Sequence, residues 1–331
     1  MKSIITALIL LSTSFASAAT PEMLQNICET GVRAHPTKPG FWHIYRPSLV
    51  ESSGVLYATQ SLPPTSAGSY AVVKVDAQAP GLVTEVLRFE NSIRDLEVAE
   101  GQLWVLFADR LLGYDLITFE KTADVATGPA PTVANDEAQA LVVLGGMLVI
   151  AHGEKGAVFY FPSTKQMLAG SDLGLQQTNG HRSKVIDVAR VDDKQVAFAV
   201  EGVTVANNPP FPFNGVLLWD LQNNERAVAN YDRKGSGVLS NAVLQVRGDQ
   251  VLINNWGILH QTSLSGVRAA QPVLVNWTPV YFEVNGQRRP GELLGDLLAE
   301  DNQILACAQT NYPDPVSGQV IRKAVVYQGR Y

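Results

Sequence analysis

Residues 92–121 read SIRDLEVAEGQLWVLFADRLLGYDLITFEK and hold three short apolar runs separated by tight polar turns. The first run, 93–98, is one a chain can bury on both faces. Glu100 and Gly101 form a turn, 103–107 make a second run, and 111–116 make a third that ends in Tyr114-Asp115-Leu116. Short apolar runs bounded by turn residues predict buried β-strands.

The same unit recurs along the chain. A first copy has runs at 48–50, 55–59 and 70–75, and a third at 140–144, 147–151 and 157–161. A fourth has 185–191, 195–200 and 215–221, where Trp219-Asp220-Leu221 echoes Tyr114-Asp115-Leu116. A fifth has 242–246, 250–254 and 258–264, and a sixth has 293–299, 303–308 and 322–327. The second runs begin at Leu56, Leu103, Leu148, Val196, Val251 and Ile304, at intervals of 47, 45, 48, 55 and 53 residues, in or just above the range of propeller blade periods. A small sheet of this kind cannot bury both faces alone, so neighbours stack radially. The expectation is an all-β, six-bladed β-propeller, with seven blades, one degenerate, as the alternative. Residues 291–300, GELLGDLLAE, resemble an amphipathic helix in isolation. Their offset before Ile304 matches that of 95–98 before Leu103, and they are assigned to a strand.

Residues 1–18 have Lys2, an apolar core over 4–11 and Ala16-Ser17-Ala18, the layout of a cleaved secretory signal. That leaves 19–331 as one propeller domain, secreted or periplasmic, with no segment long enough to cross a bilayer as a helix and a monomer expected. Without Lys2 the basic residues number 24 (25 less one) against 31 acidic, a net charge of about −7, which argues against nucleic acid as a partner. Residues 20–31 fit a short helix, with Thr20 as N-cap, Pro21 in the first turn and Gly31 at the exit. A strand-like segment, 41–45, follows it.

The two cysteines, Cys28 and Cys307, lie near opposite ends of this domain. In an oxidising compartment they can pair, and if the N-terminal segment supplies the outer strand of the last blade, the bond staples the ring shut. By loop entropy that link is worth at most about 4 to 5 kcal/mol. The alternative is two independent thiols.

The connections at 60–69, 201–214 and 309–319 are long and hold Pro, with Asn and aromatic residues in the last two, while the others between second and third runs are short. They carry Asn207, Phe211, Phe213 and Tyr312, which with Arg46, Asn254 and Trp256 are candidate ligand-binding residues. The aromatics suit a sugar ring or peptide, or pack beneath a loop. Polar residues stand near the start of each first run: Arg46, Asp95, Gln139, Asp187, Asn241 and Asp296. If they converge on the channel, Asp95, Asp187, Asn241 and Asp296 form an oxygen-rich set suited to Ca2+. Alternatively each caps its own strand. His152 and His181 are placed to act as general bases or to lie solvated.

There is no G-x-S-x-G elbow, phosphate-binding glycine loop, H-E-x-x-H or dinucleotide fingerprint, and no C-x-x-C. The layout of leader, six repeats, terminal cysteine pair and oxygen-rich channel resembles the paraoxonase, gluconolactonase and yellow/royal-jelly propellers. The resemblance implies that second-to-third connections share one side of the ring. A metal-binding glutamate near the start of the first blade, expected in the gluconolactonase group, has no evident counterpart, since Glu51 reads as part of a turn. Two functions follow as expectations. One is binding of a protein, peptide or glycan through the loop-rich face; the other is a calcium-assisted hydrolase or lactonase.

Overall fold

The computed structural model describes residues 19–29, 33–34, 42–43, 47–61, 70–128, 137–171, 173, 183–201, 214–230, 242–255, 257–271, 273, 280–284, 286–300, 303–310 and 321–327. The first element among the described residues is helix α1 (Pro21–Glu29), followed by a two-residue ladder of β1 (Arg33–Ala34) and β2 (Trp42–His43). Six antiparallel sheets come next. Blade 1 is β3 (Leu49–Ser52), β4 (Val55–Ser61), β5 (Tyr70–Asp76) and β6 (Val83–Phe89), and blade 2 is β7 (Asp95–Ala99), β8 (Gln102–Leu106), β9 (Arg110–Asp115) and β10 (Lys121–Ala126). Blade 3 is β11 (Ala140–Leu144), β12 (Met147–Ala151), β13 (Ala157–Phe161) and β14 (Gln166–Ser171). Blade 4 is β15 (Lys184–Arg190), β16 (Gln195–Glu201), β17 (Gly215–Asp220) and β18 (Glu225–Asn230). Blade 5 is β19 (Val243–Arg247), β20 (Gln250–Asn255) and β21 (Ile258–Ser263), followed by helix α2 (Leu264–Arg268). Blade 6 is β22 (Val280–Val284), β23 (Gln287–Glu300), β24 (Gln303–Thr310) and β25 (Arg322–Tyr327).

Local chemistry sets the turns. First and second strands are joined by pairs such as Ser53-Gly54 and Glu100-Gly101, in which both residues have positive φ, the geometry that matches strand twist in a two-residue hairpin. The Tyr-Asp-Leu and Trp-Asp-Leu echoes are Asx turns. Asp115 Oδ1 accepts from the backbone N–H of Ile117 (2.9 Å) and Thr118 (2.8 Å), and Asp220 Oδ1 accepts from those of Gln222 (2.9 Å) and Asn223 (3.0 Å).

The middle strands explain why the sequence runs are continuous rather than alternating. In β8, Leu103 and Val105 pack with Tyr57 and Val72 of blade 1, while Trp104 and Leu106 pack with Leu148 and Ile150 of blade 3. Successive side chains thus enter two different cores. One apolar cluster fills every junction between adjacent blades, including the junction of blade 6 with blade 1. The inner strands β3, β7, β11, β15, β19 and β23 touch in that order and return to β3. The ring is closed and has six blades, not seven.

Closure differs from the expectation in one respect. Among the described residues, the N-terminal segment meets the last blade as a helix, and none of its strands pairs with β25. Met23, Leu24, Ile27 and Cys28 of α1 are buried against Leu56 and Val73 of blade 1 and Leu305 of blade 6. Cys28 is bonded to Cys307 on β24, with Cα atoms 5.4 Å apart. Gln25 Oε1 accepts from the N–H of Ala324 (2.7 Å), occupying a donor on the outer edge of β25. The segment read as 41–45 is reduced to Trp42–His43 among the described residues. Leu264, expected to end a strand, starts α2, because Ser263 accepts from the N–H of Gly266 (2.8 Å) as an N-cap.

Residues 291–300 are strand. A bulge between Leu294 and Leu297 absorbs the pattern that looks helical in isolation. Gly295 sits there at φ +61°, with the Pro47 carbonyl oxygen 2.2 Å from where a Cβ would be.

Candidate functional site

The two faces of the ring differ. Short turns such as Ser53-Gly54 and Gly145-Gly146 occupy one. On the other, inner strands begin, second strands end and third strands begin, so the connections 62–69, 202–213 and 311–320 all attach there. Buried polar side chains gather at the same end: Thr59 and Gln60 close β4, Asn254 and Asn255 close β20, and Gln309 and Thr310 close β24. Among the described residues, the buried polar strand ends thus gather on the loop-bearing face.

Along the axis runs a cavity of about 320 Å³ lined by all six inner strands. Asp95, Asp187 and Asp296 stand there on blades 2, 4 and 6, and each reaches the inner strand of the next blade. Asp95 Oδ2 accepts from Leu141 N–H (2.8 Å), Asp187 Oδ2 from Leu244 N–H, and Asp296 Oδ2 from Leu49 N–H (2.7 Å). Ser48 Oγ donates to Asp95 Oδ1 (2.6 Å) and accepts from Leu96 N–H (3.0 Å). Inner-strand edges would otherwise point unpaired donors at the channel, and the carboxylates satisfy them. The caps therefore act mainly across blades, not only on their own strands. Bulges between Val185 and Asp187 and between Leu294 and Leu297 set the aim of two of them.

These acids are crowded. Desolvation holds the Asp95 carboxyl up at about 6. Desolvation and the Asp95 charge raise Asp296 to about 7. The same desolvation, with Asp95 and Asp296, pushes Asp187 well above its ordinary range. Glu97, two residues beyond Asp95, keeps part of its surface open to the cavity. Protein nevertheless surrounds its carboxyl, and desolvation with the charge of Asp95 raises it to about 8.

The structure brings together Asp95, Asp187 and Asp296. On blade 3 the position matching Asp95, which faces Leu106, is Ala140, which faces Ala151; Leu141 follows it and supplies the amide to Asp95, and Gln139 falls just ahead of β11. Glu51 lies in strand β3, not in a turn, lines the channel, and accepts from Gly54 N–H (2.8 Å). His152 is 1 % exposed, with its backbone N–H on Gly156 O (2.8 Å), and is neither solvated nor on the channel wall. Asn254 is buried and donates from Nδ2 to Gly295 O (3.1 Å). His181, Arg46, Asn207, Phe211, Phe213, Trp256, Tyr312 and Asn241 lie outside the described residues. Sequence reading missed Ser48 and Glu97. Glu97 was discoverable, because it alternates with Leu96 and Val98 and so shares a face with Asp95.

Among the described residues, no group of three or more His, Cys, Asp or Glu is placed to hold a metal ion. The channel carboxylates spend their oxygens on backbone amides. As they stand they do not fit a calcium cage, which needs six to eight oxygens directed at one point.

No family model matches the chain, and no curated protein does. Among solved structures, U3-55K is similar with a TM-score of 0.51 and 10% identity, over 89% of this chain and 83% of that one. BamB from Moraxella catarrhalis gives 0.47 and 14%, over 91% and 92%. The computationally designed Ika8 protein gives 0.45 and 12%, over 87% and 88%. At these identities likeness concerns the fold alone. The chain is a six-bladed β-propeller.

Proposed function

We propose that this propeller works outside the cytoplasm, after removal of residues 1–18, as a binding protein for a protein, peptide or glycan, held at the loop-bearing face. The observation that carries the reading is one-sidedness. Long connections and buried polar strand ends share one face, and short turns occupy the other. The Cys28–Cys307 bond supports an oxidising compartment. Asn207, Phe211, Phe213 and Tyr312 on the long connections, with Arg46, Asn254 and Trp256, are the residues assigned to the ligand. Replacing 207–213 with a short Gly-Ser linker should abolish binding to glycan and peptide arrays while the melting temperature holds. Array binding unchanged in the folded variant would refute the assignment. The calcium-assisted hydrolase has the clustering of Asp95, Asp187 and Asp296 in its favour. A calcium titration separates the two, since binding through the loops expects no rise in melting temperature.

A further inference from the structure

The last blade carries a hairpin that the ring does not need. Strand β23 pairs with β24 only as far as Gly291, opposite Thr310, and then runs on to Gln287. Beyond that point it pairs with β22, from Val280 opposite Gly291 to Val284 opposite Gln287. Residues 280–290 therefore rise past the blade on the loop-bearing side, with β22 on the edge of β23 opposite to β24, toward the channel.

Its two edges are not alike. Val284 and Gln287 flank a two-residue connection, Asn-Gly in sequence with Gly286 at φ +74°, so they form a hydrogen-bonded pair. Alternation makes Phe282 opposite Arg289 hydrogen-bonded as well. It leaves Tyr281 opposite Pro290 and Glu283 opposite Arg288 as pairs whose backbone groups point outward. On β23 the outward positions are Arg288 and Pro290, and Pro290 has no N–H, so that edge is interrupted. On β22 the outward N–H and C=O groups of Tyr281 and Glu283 have no strand beside them among the described residues. Tyr281 is 45% exposed, and the Arg288 guanidinium lies 4.1 Å from its ring centroid. Glu283 stands opposite Arg288, so the net positive charge of the hairpin falls to Arg289 on its other face, on a chain of net charge −6.

We propose that β22 is a docking edge, to which an extended acidic segment of a partner protein adds as a further strand. Its backbone pairs with Tyr281 and Glu283, and its carboxylates, carried on alternate residues and so on one face, meet Arg289. This rests on the reading that the loop-bearing face is the binding face, and it names one kind of ligand there.

The test is fluorescence anisotropy of a labelled, end-capped octapeptide of alternating Glu and Val against the full chain. Binding is expected, weakened at least tenfold by Glu283→Pro, which deletes one outward donor at an edge position that tolerates proline. Arg289→Glu should weaken it similarly, and an alternating Lys-Val peptide should not bind. N-methylation of alternate peptide amides should abolish binding, a result independent of any protein variant. No binding of the acidic peptide, or equal binding of its N-methylated form, overturns the proposal. So does concentration-dependent dimerisation of the chain that Glu283→Pro abolishes, since a second copy would then occupy the edge. Peptide binding that survives replacement of 207–213 would count against the long-connection site while leaving strand addition standing.

Discussion

Glu97→Gln offers the most direct test of the crowded channel. The side chain projects among Asp95, Asp187 and Asp296, and desolvation with the neighbouring charge of Asp95 carries its carboxyl from 4.5 up to about 8. A tenfold change in proton affinity corresponds to about 1.4 kcal/mol. Because the folded chain holds the proton more tightly than the unfolded chain, this group's favourable contribution is complete below about pH 4.5. It is lost as the pH climbs toward and through about 8. Ionising Glu97 in the fold then costs at most about 3 kcal/mol at pH 7 and about 4 to 5 at pH 9. Glutamine keeps the shape and removes the titration. Urea unfolding at constant ionic strength should show the wild type losing stability from pH 5 to pH 8.5. Glu97→Gln should lose less by roughly 3 to 4 kcal/mol, and the two should converge near pH 4.5. Parallel loss in both proteins would mean that the channel is wet enough to solvate the carboxylate, and the argument from desolvation would fail.

Gly295→Ala should destabilise by about 2 to 4 kcal/mol, read from the urea midpoint, because the new methyl meets the Pro47 carbonyl at a positive φ. Replacing Cys28 and Cys307 together with serine should remove up to about 4 to 5 kcal/mol under oxidising conditions and make stability indifferent to reductant. Phe198→Ala, which empties a fully buried site between blades 3 and 4, should cost about 3 to 5 kcal/mol by chemical denaturation. Ile117→Ala should be silent in the same assay, since Ile117 is 88% exposed.

The fold was largely legible because each middle strand faces two cores at once. A run such as Leu103 to Phe107 is then wholly apolar and stands out against Gly and Asp punctuation. The period located all six blades, and even 291–300 fell correctly once its offset was trusted over its helical look. The closure was less legible. The apolar side chains of α1 fit a helix packed on the last blade, yet nothing in spacing says that the partner presents a face rather than an open strand edge. The channel was half legible. Asp95, Asp187 and Asp296 were found by position, but their partners are backbone amides of the following blades. An amide carries no side-chain signature, so the oxygens read as a possible cation set could not be recognised from sequence as hydrogen-bond acceptors between blades.

The position of α1 has a consequence for how the molecule comes into being. Its buried side chains, Met23, Leu24 and Ile27, are synthesised before any blade, yet part of the surface that covers them belongs to strands ending at Tyr327. Nearly the whole polypeptide must be made before that greasy patch is sheltered, and contacts so remote in sequence form slowly. Until those strands are made, the part of the patch that they cover stays exposed, the kind of surface that makes incomplete chains prone to aggregate.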